Sequence, residues 1–294
     1  MSRVLVLGGA GMLGHKLHHV LSQDHEVVSV LRGGLPAGSA PDDEIFRRGR
    51  VVEGVDVTDL AATDGLLAEL TPDVVVNCVG IVKQRPAAAD PIPSISVNAL
   101  LPHRLEDMCS RRGARLVHFS SDCVFSGDRG GYTEEDVSDA RDLYGRTKFL
   151  GEVGPPGLTI RSSIIGRELA HFQSLLEWFL RQRGTVSGFT RVMYSGVTTI
   201  EMARIVDEVL SAHPELAGLY QVASPAISKF DLLTMVRDAF GLDTVVVPDE
   251  GAVSDRTLSG ERFLAATGIE TSTWHDMIEG LVKEASLYPE PRPR

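Results

Sequence analysis

The stretch Arg3-Val-Leu-Val-Leu-Gly-Gly-Ala-Gly-Met-Leu-Gly14 decides the fold. A short apolar run ends in a glycine-rich turn, and residues with helical spacing follow it. Gly8 allows a tight turn, Gly11 lets the backbone approach a pyrophosphate, and Gly14 lets helix and strand pack closely. Because the helix N-terminus adds free N–H groups and a positive dipole, this turn predicts a dinucleotide site. The alternative is an ordinary strand–helix turn.

The first half of the chain alternates between strands and helices. Its strands are apolar on both faces, which predicts an α/β fold with a parallel sheet covered on both sides. The predicted strands are 3–7, 26–31, 51–55, 73–79 and 115–119, and the helices are 11–23, 60–70 with Thr58 as N-cap, and 97–112. Later helices are predicted at 168–183, 199–212 and 229–240, with short strands at 218–222 and 244–247. Residues 33–50 have no apolar period and predict an exposed loop.

Composition narrows the functional class. The chain has 294 residues, 43% hydrophobic and 23% charged, which suits an enzyme-sized globular protein. The formal net charge of -11 disfavours a general binder of nucleic acid or of anionic membranes. The sequence has no secretory signal pattern and no apolar run near the ~20 residues that span a bilayer. Cys78, Cys109 and Cys123 form no disulfide framework and have no metal-ligand spacing, so we expect a reduced, cytoplasmic protein without a metal.

The cofactor type follows from the end of the second predicted strand. Arg32 stands where an NAD-selective site would usually place an acidic residue, and its guanidinium suits a 2′-phosphate. NADP(H) is therefore favoured over NAD(H), although a solvated arginine is the alternative interpretation. Asp56 and the run 77–80 follow the third and fourth strands, at the same edge of the sheet, where they could line the adenine and ribose path.

A tyrosine and a lysine four residues apart suggest the chemistry. On a helix, Tyr144 and Lys148 share one face. A phenol with a pKa of ~10 is a poor proton donor at neutral pH. A fixed cation nearby moves that pKa toward the working range. Ser121 ends the fifth strand and brings a hydroxyl to the same edge, where it could bind a carbonyl oxygen.

These motifs together resemble a known family. GGAGMLG at 8–14, SSDCVFSG at 120–127, the Tyr144/Lys148 pair and LTIRSS at 158–163 resemble the extended short-chain dehydrogenase/reductases, within them the dTDP-4-dehydrorhamnose reductase group. The resemblance implies a Rossmann doubly wound parallel sheet over 1–165, with later crossover segments near 190–225. It also implies a smaller α+β C-terminal substrate domain, mainly over 166–288, and a tail at 289–294.

The implied reaction is NADPH-dependent reduction of a 4-keto-6-deoxy sugar nucleotide in deoxysugar or polysaccharide biosynthesis. Ser121 would polarise the C4 carbonyl, Tyr144 would donate the proton, and Lys148 would hold the nicotinamide ribose. The implied cofactor-binding residues are Gly8, Gly11, Met12, Leu13, Gly14, Arg32, Asp56, Val57, Cys78, Val79, Gly80, Asn98, Tyr144, Lys148 and Arg161. The implied substrate-binding residues are Lys83, Asp122, Cys123, Val124, Phe125, Ser163, Ser195 and Arg256.

The sequence departs from the family pattern at the substrate side. Related dehydratases carry an acidic pair after the catalytic hydroxyl, whereas Cys123 follows Asp122 here, which disfavours a dehydratase. Cys123 also replaces a common tyrosine, and a C-terminal Arg-Pro pair is replaced near Arg256, so the identity of the sugar is open. The insert Lys83-Gln-Arg85 could reach the substrate diphosphate or be a solvated loop.

Two alternative functions stay open. A C3/C5 epimerase–reductase would use Cys123 and His171 as paired proton carriers. A non-catalytic NADP-binding regulatory subunit, like the one associated with methionine adenosyltransferase, would not need the serine, tyrosine and lysine. His15, His18 and His19 are expected to be solvated rather than metal ligands. The apolar run at 175–180 is interpreted either as a homodimer seam or as the core of the second domain.

Overall fold

The structure is a computed structural model, and it describes residues 1–35, 44–83 and 89–289. The strands in chain order are β1 Arg3–Leu7, β2 Glu26–Val30, β3 Arg50–Val52, β4 Val74–Asn77, β5 Arg115–Ser120, β6 Leu158–Arg161, β7 Ile164–Ile165, β8 Thr185–Tyr194, β9 Val197–Thr198, β10 Gly218–Gln221, β11 Ile227–Ser228 and β12 Val245–Asp255. The α-helices are α1 Gly14–Leu21, α2 Leu60–Leu70, α3 Pro91–Ser94, α4 Leu101–Arg112, α5 Leu143–Leu150, α6 Leu175–Leu180, α7 Thr199–Ala212, α8 Lys229–Phe240, α9 Glu261–Thr267 and α10 Trp274–Lys283. A π-helical turn at Ile95–Leu100 leads into α4.

A seven-stranded parallel sheet organises the molecule, in the order β10-β6-β5-β4-β1-β2-β3. The order reverses beside β1, where Leu7 pairs with Val30 of β2 on one side and Asn77 of β4 on the other. Ligands of such sheets bind beyond the carboxyl ends of the strands at this reversal. The predicted α/β class with a doubly wound sheet is confirmed.

Both faces of this sheet are buried, as its apolar strands predict. Val4 and Val6 point to one face, where they pack in a cluster with residues of α1 and α7. Leu5 and Leu7 point to the other face and pack with residues of α2 and α4. Successive side chains of a strand alternate between faces, so a sheet buried on both sides needs continuous apolar runs.

The later part of the chain adds two smaller sheets. Strand β8 pairs parallel with β12 and antiparallel with β11, and β7 pairs with β9. The sequence predicted β10, α7 and α8 closely but missed the long strand β8. Across the described residues, no helix is both long and apolar enough to cross a bilayer.

Two of the three histidines of α1 are not solvated as predicted, and the third, His19, is half-buried. His15 and His18 are fully buried. His15 contacts the Gly11 carbonyl (2.7 Å from Nδ1) and the Tyr288 hydroxyl (2.9 Å from Nε2). His18 contacts the Ser29 hydroxyl (2.8 Å from Nδ1) and the Arg48 carbonyl (2.7 Å from Nε2). The face of α1 opposite the sheet is therefore covered too, by parts of the chain distant in sequence.

Three local predictions were also wrong. The helix predicted at 168–183 is limited to α6, because His171 and Phe172 adopt left-handed backbone conformations (φ 71° and 51°). The loop 33–50 is not wholly exposed, since Ile45 and Phe46 are buried against Leu169 and Tyr288; its residues 36–43 lie outside the described part. Asp59 rather than Thr58 caps α2, since its side chain accepts the N–H groups of residues 61 and 62.

Two helical glycines give matched tests of this packing. A Cβ at Gly145 in α5 would lie 2.1 Å from the Cys123 carbonyl oxygen, whereas a Cβ at Gly65 in α2 would meet nothing within 4 Å. We expect Gly145→Ala to lower the free energy of unfolding by about 1–3 kcal/mol or more, because backbone must move. Gly65→Ala should raise it by about 0.5–1 kcal/mol, since alanine is the better helix former. Urea unfolding measures both, and a stable Gly145→Ala variant would contradict the close approach.

Candidate active site

The glycine turn leaves its backbone open to a ligand. Gly8 has a φ of +84°, which favours glycine, and a Cβ there would lie 3.1 Å from Val79. A Cβ at Gly14 would lie 2.2 Å from the Gly8 carbonyl oxygen, so α1 can approach β1 only with glycine at position 14. The N–H of Gly11 donates to the same oxygen at 2.9 Å and tightens the turn.

A cleft of about 1160 Å³ runs from this turn across the ends of the strands. It is lined by Gly8 and Gly11, by Arg32 after β2, by Asp56 after β3 and by the segment 78–81 after β4. The same segment lines a smaller pocket of about 130 Å³ that reaches Leu13, Tyr144 and Lys148. The segment 78–81 thus lies between the glycine turn and the tyrosine–lysine pair, which are 130 residues apart in sequence.

Charged groups line the cleft far from Tyr144. Arg32 is exposed there, and Asp56 accepts the N–H and hydroxyl of Thr58 at 2.9 and 2.7 Å. These hydrogen bonds, with a smaller effect of Arg32, lower the pKa of Asp56. Arg104 of α4 and His171 also line this cleft. Sequence reasoning missed Arg104, because an arginine on a polar helix face carries no distinguishing signal.

Helix α5 positions the tyrosine and the lysine. Asp142 caps it by accepting the Gly145 N–H at 2.8 Å, and Lys83 binds the same carboxylate at 2.6 Å. The Lys148 ammonium is buried and donates to the Phe119 carbonyl at 2.6 Å. The residues Gln84 and Arg85 of the predicted substrate insert lie outside the described part of the chain.

The surroundings of Tyr144 raise its pKa, whereas the sequence predicts a nearby cation that lowers it. Burial raises the pKa of Tyr144, and the thiol of Cys123 and the carboxylates of Asp122 and Asp142 raise it further, while the Ser121 hydroxyl lowers it. Burial lowers the pKa of Lys148 itself to about 8, against the opposing effect of Glu152.

The two serines that end β5 have different partners. Ser120 donates to Glu152 at 2.6 Å. Ser121 donates to Asp122 at 2.9 Å, accepts the Cys123 N–H at 3.1 Å, and lies close enough to Tyr144 to lower its pKa. The Ser121 hydroxyl therefore lies against the phenol, while Ser120, bonded to Glu152, lines the smaller pocket with Tyr144 and Lys148.

Arg161 is placed differently from the predicted cofactor contact. Its guanidinium is buried and makes a bidentate pair with Glu152, at 2.6 and 2.7 Å. Its carbon Cζ also lies 5.2 Å from the centre of the Phe125 ring. Arg161 lines neither the cleft nor the smaller pocket. Its role in this structure is to neutralise the carboxylate that lies beneath Lys148 and Ser120.

Asn98 connects two parts of the site. It lies on the π-helical turn and is buried; its amide exchanges hydrogen bonds with the backbone of Ile81, at 2.8 and 3.0 Å. The amide also donates to Thr147 of α5 at 3.4 Å. π-Helical turns are frequent at functional sites, because the extra residue redirects a side chain. Asn98 thus ties the segment that lines both pockets to the helix that carries Tyr144.

The predicted substrate residues separate into two groups. Val124 and Phe125 are buried in a small cluster with Tyr132 and Leu258 and line neither the cleft nor the smaller pocket, so their contact with a substrate stays a prediction. Ser195 is also buried and accepts the Leu258 N–H at 2.9 Å.

Asp122 raises the pKa of Cys123, and Arg256 and Lys83 lower it. These three charged groups therefore lie near the thiol. Arg256 also donates to the Phe125 carbonyl at 2.9 Å. Ser163 accepts the Val197 N–H at 2.9 Å through its carbonyl.

Sequence reasoning missed a lysine on this side. Lys229 begins α8, and its ammonium lies 5.2 Å from the centre of the Tyr194 ring. Burial lowers the pKa of Lys229, and Asp122 and Cys123 oppose that shift, so its ammonium lies near these two residues. A lysine at a helix start usually indicates only a solvated residue, and the sequence offered no signal against that interpretation.

The proposed proton carriers of an epimerase are in different surroundings. Burial and Asp122 raise the pKa of Cys123 to about 12, so the thiol is a poor acid at neutral pH. His171 lines the cleft with Arg32 and Arg104, whereas Cys123 lines neither the cleft nor the smaller pocket. Both observations weigh against the epimerase interpretation. The described residues include no group of three potential metal ligands.

Comparison with known proteins identifies the family. The family model described as "RmlD substrate binding domain" matches residues 2–287. The chain belongs to this family. The resemblance inferred from the glycine turn, the SSDCVFSG stretch and the Tyr144/Lys148 pair is thereby confirmed.

Curated relatives of this RmlD-family chain include reductases and a methionine adenosyltransferase subunit. A dTDP-4-keto-6-deoxy-D-glucose reductase of Streptomyces niveus is 27% identical over 98% of this chain and 92% of that protein. A probable low-salt glycan biosynthesis reductase of Haloferax volcanii is 27% identical over 82% of this chain and 81% of that protein. The methionine adenosyltransferase 2 subunit beta of Rattus norvegicus is 30% identical, over 51% of this chain and 41% of that protein.

Solved structures share the fold of this RmlD-family chain. A dTDP-4-dehydrorhamnose reductase of Bacillus anthracis, in complex with NADP, is 19% identical and has a TM-score of 0.78 over 97% of this chain and 99% of that one. The Bordetella bronchiseptica enzyme WbmG, in complex with NAD, is 20% identical and has a TM-score of 0.76 over 98% of this chain and 94% of that one. At this identity the likeness establishes the fold.

The low pKa of Lys148 predicts a pH-dependent stability. Between the folded pKa of about 8 and the usual 10.5, the folded protein binds fewer protons than the unfolded chain, so its stability rises with pH. Lys148→Met removes this contribution. From pH 7 to 10, the free energy of unfolding of wild type should therefore rise by roughly 3 kcal/mol more than that of Lys148→Met.

Urea unfolding at several pH values measures this difference. Lys283→Met, on an exposed part of α10, is the control. If the difference between wild type and Lys148→Met stays constant across that range, Lys148 does not have a lowered pKa.

Proposed function

We propose that this protein reduces a 4-keto-6-deoxy sugar nucleotide with NADPH. The observation that carries the proposal is the segment 78–81, which lines both the cleft at the glycine turn and the pocket at Tyr144 and Lys148. A dinucleotide seated on the turn would extend along this segment toward the tyrosine. Membership in the RmlD family and the reductases among its relatives support the same reaction.

The residues present fit a nicotinamide dinucleotide. The open backbone at Gly11 and the start of α1 suit the pyrophosphate, since N–H groups and the helix dipole favour an anion there. Asp56 and Val57 after β3, and Cys78, Val79 and Gly80 after β4, line the cleft toward the adenine and ribose positions. Leu13 lines the pocket that also holds Lys148. When bound, NADPH supplies the hydride.

The chain's own groups hold the carbonyl and supply the proton. Ser121 would donate a hydrogen bond to the carbonyl oxygen, exchanging its present partner Asp122. Tyr144 would donate the proton to the same oxygen as negative charge develops. Lys148, held by the Phe119 carbonyl, would bind the ribose hydroxyls and place a positive charge near the phenol once the pocket is filled.

The sugar nucleotide would bind between the dinucleotide-binding part, residues 1–165, and the mainly substrate-binding part, residues 166–288. Lys83, Lys229 and Arg256 offer cations beside Asp122 and Cys123, where a diphosphate needs neutralising. These cations act locally against a net charge of -11.

A regulatory subunit is the second candidate, supported by the 152-residue match to the methionine adenosyltransferase subunit. It predicts dinucleotide binding without turnover, and a stoichiometric protein partner on purification. Oxidation of NADPH by the protein with dTDP-4-dehydrorhamnose or dTDP-4-keto-6-deoxyglucose, followed by absorbance, distinguishes the two.

Tyr144→Phe tests the assigned proton donor. Loss of the hydroxyl should lower kcat by about 10²- to 10⁴-fold, the range for a general acid, because Ser121 in this assignment holds the carbonyl oxygen and Tyr144 transfers the proton. NADPH binding, measured by calorimetry, should be nearly unchanged, which serves as the control for folding. A Tyr144→Phe enzyme with wild-type turnover contradicts the mechanism.

Arg32→Ala tests the preference for the phosphorylated cofactor. Removing a charged partner of the 2′-phosphate should weaken NADPH binding by about 10- to 100-fold. NADH, which lacks that phosphate, should bind the variant as it binds wild type. Calorimetric titration with both cofactors measures this, and an equal loss for NADH and NADPH would show that Arg32 does not read the phosphate.

A further inference from the structure

A buried chain of hydrogen bonds connects residues 284–289 to the glycine turn. His15 lies just after Gly14, on the first turn of α1. Its Nδ1 lies 2.7 Å from the Gly11 carbonyl oxygen, and its Nε2 lies 2.9 Å from the hydroxyl oxygen of Tyr288. The two residues are 273 positions apart in sequence, and the imidazole is fully buried between them.

The direction of each hydrogen bond follows from the groups involved. A carbonyl oxygen can only accept, so Nδ1 carries a hydrogen and donates to Gly11. Burial lowers the pKa of His15 to about 3, so the ring is neutral and Nε2 has a free lone pair. Tyr288, whose pKa burial raises, keeps its proton and donates it to Nε2. Each of the three groups therefore has one defined orientation.

Tyr288 is itself held from several sides. Ile45, Phe46 and Leu169 pack around it in one apolar cluster. Arg167 lies 4.9 Å from the ring centre and donates to the Pro289 carbonyl at 3.0 Å.

A buried ion pair holds the same segment on α1. Lys16, 1% exposed in its side chain, binds Glu284. Its ammonium also lies 5.4 Å from the Tyr288 ring centre. Residues 284–289 are therefore fixed on α1 by charge as well as by apolar contact.

These contacts determine the orientation of the peptide between Gly11 and Met12. A trans peptide is planar, and its C=O and N–H point in opposite directions. The His15 backbone N–H, at 3.2 Å, and its imidazole both draw the Gly11 carbonyl toward α1. The N–H of Met12 must then point away from His15, and the neighbouring Gly11 lines the cleft in which a pyrophosphate would bind.

We infer that Tyr288 is a positioning residue of the dinucleotide site, acting through His15 on the Gly11–Met12 peptide. Residues 284–289 thus belong to the cofactor site without contacting the cofactor. The inference rests on the proposed dinucleotide binding. It assigns a role in affinity to a contact that would otherwise serve only to hold α1 against the segment 284–289.

Tyr288→Phe is the direct test, because it keeps the ring and its cation contacts and removes only the hydroxyl. NADPH affinity by calorimetry should fall about three- to tenfold, as expected for one neutral buried hydrogen bond. In steady state, KM for NADPH should rise while kcat and KM for the sugar nucleotide stay unchanged. Tyr132→Phe, a buried tyrosine in the Phe125 cluster, is the matched control and should leave NADPH affinity at the wild-type value.

His15→Asn separates positioning from general packing. Asparagine can still donate to the Gly11 carbonyl but has no atom to meet Tyr288. Tyr288→Phe should then cause no further loss of NADPH affinity in the His15→Asn background. Independent, multiplying losses would overturn the inference, and so would a lower thermal midpoint for Tyr288→Phe with unchanged NADPH affinity. If wild type itself bound no dinucleotide, the proposed function would fail first.

Discussion

The distance between α1 and β1 is the constraint on which the site depends. A single methyl group at position 14 would lie 2.2 Å from the Gly8 carbonyl oxygen, well inside van der Waals contact. Since only glycine permits this approach, the first turn of the helix lies directly above the end of the strand. The open backbone, the dipole of α1 and the buried contacts of His15 all follow from that placement.

Sequence reasoning succeeded where a local pattern determines the outcome. Apolar runs predicted the parallel sheet, because a strand buried on both faces has no polar positions. The glycine spacing predicted the turn, and the four-residue spacing of Tyr144 and Lys148 placed both on α5. The order of the strands then brought these motifs to one edge, so the candidate site could largely be drawn before the structure.

Sequence reasoning failed where distant parts of the chain determine the environment of a side chain. A helical wheel assigns only one buried face to α1 and therefore predicts that His15 and His18 are solvated. In the structure, Tyr288 and the residues near Phe46 cover the opposite face of the helix. The sequence predicts that Arg161 contacts the cofactor, but in the structure its guanidinium forms an ion pair with Glu152. Lys229 had no local signal at all. Long-range contacts between charged or polar groups leave no period in a sequence, so only the structure shows them.

The topology also limits how the molecule can move. The chain leaves the large sheet after Arg161, rejoins it at Gly218 and leaves again after Gln221, so three covalent links connect the large sheet with the part that carries the smaller sheets. A hinge motion of the smaller sheets relative to the large sheet would have to bend all three links together. For the proposed reaction, entry and exit of the sugar nucleotide should therefore depend on small displacements of loops, and the geometry around Tyr144 should persist between turnovers.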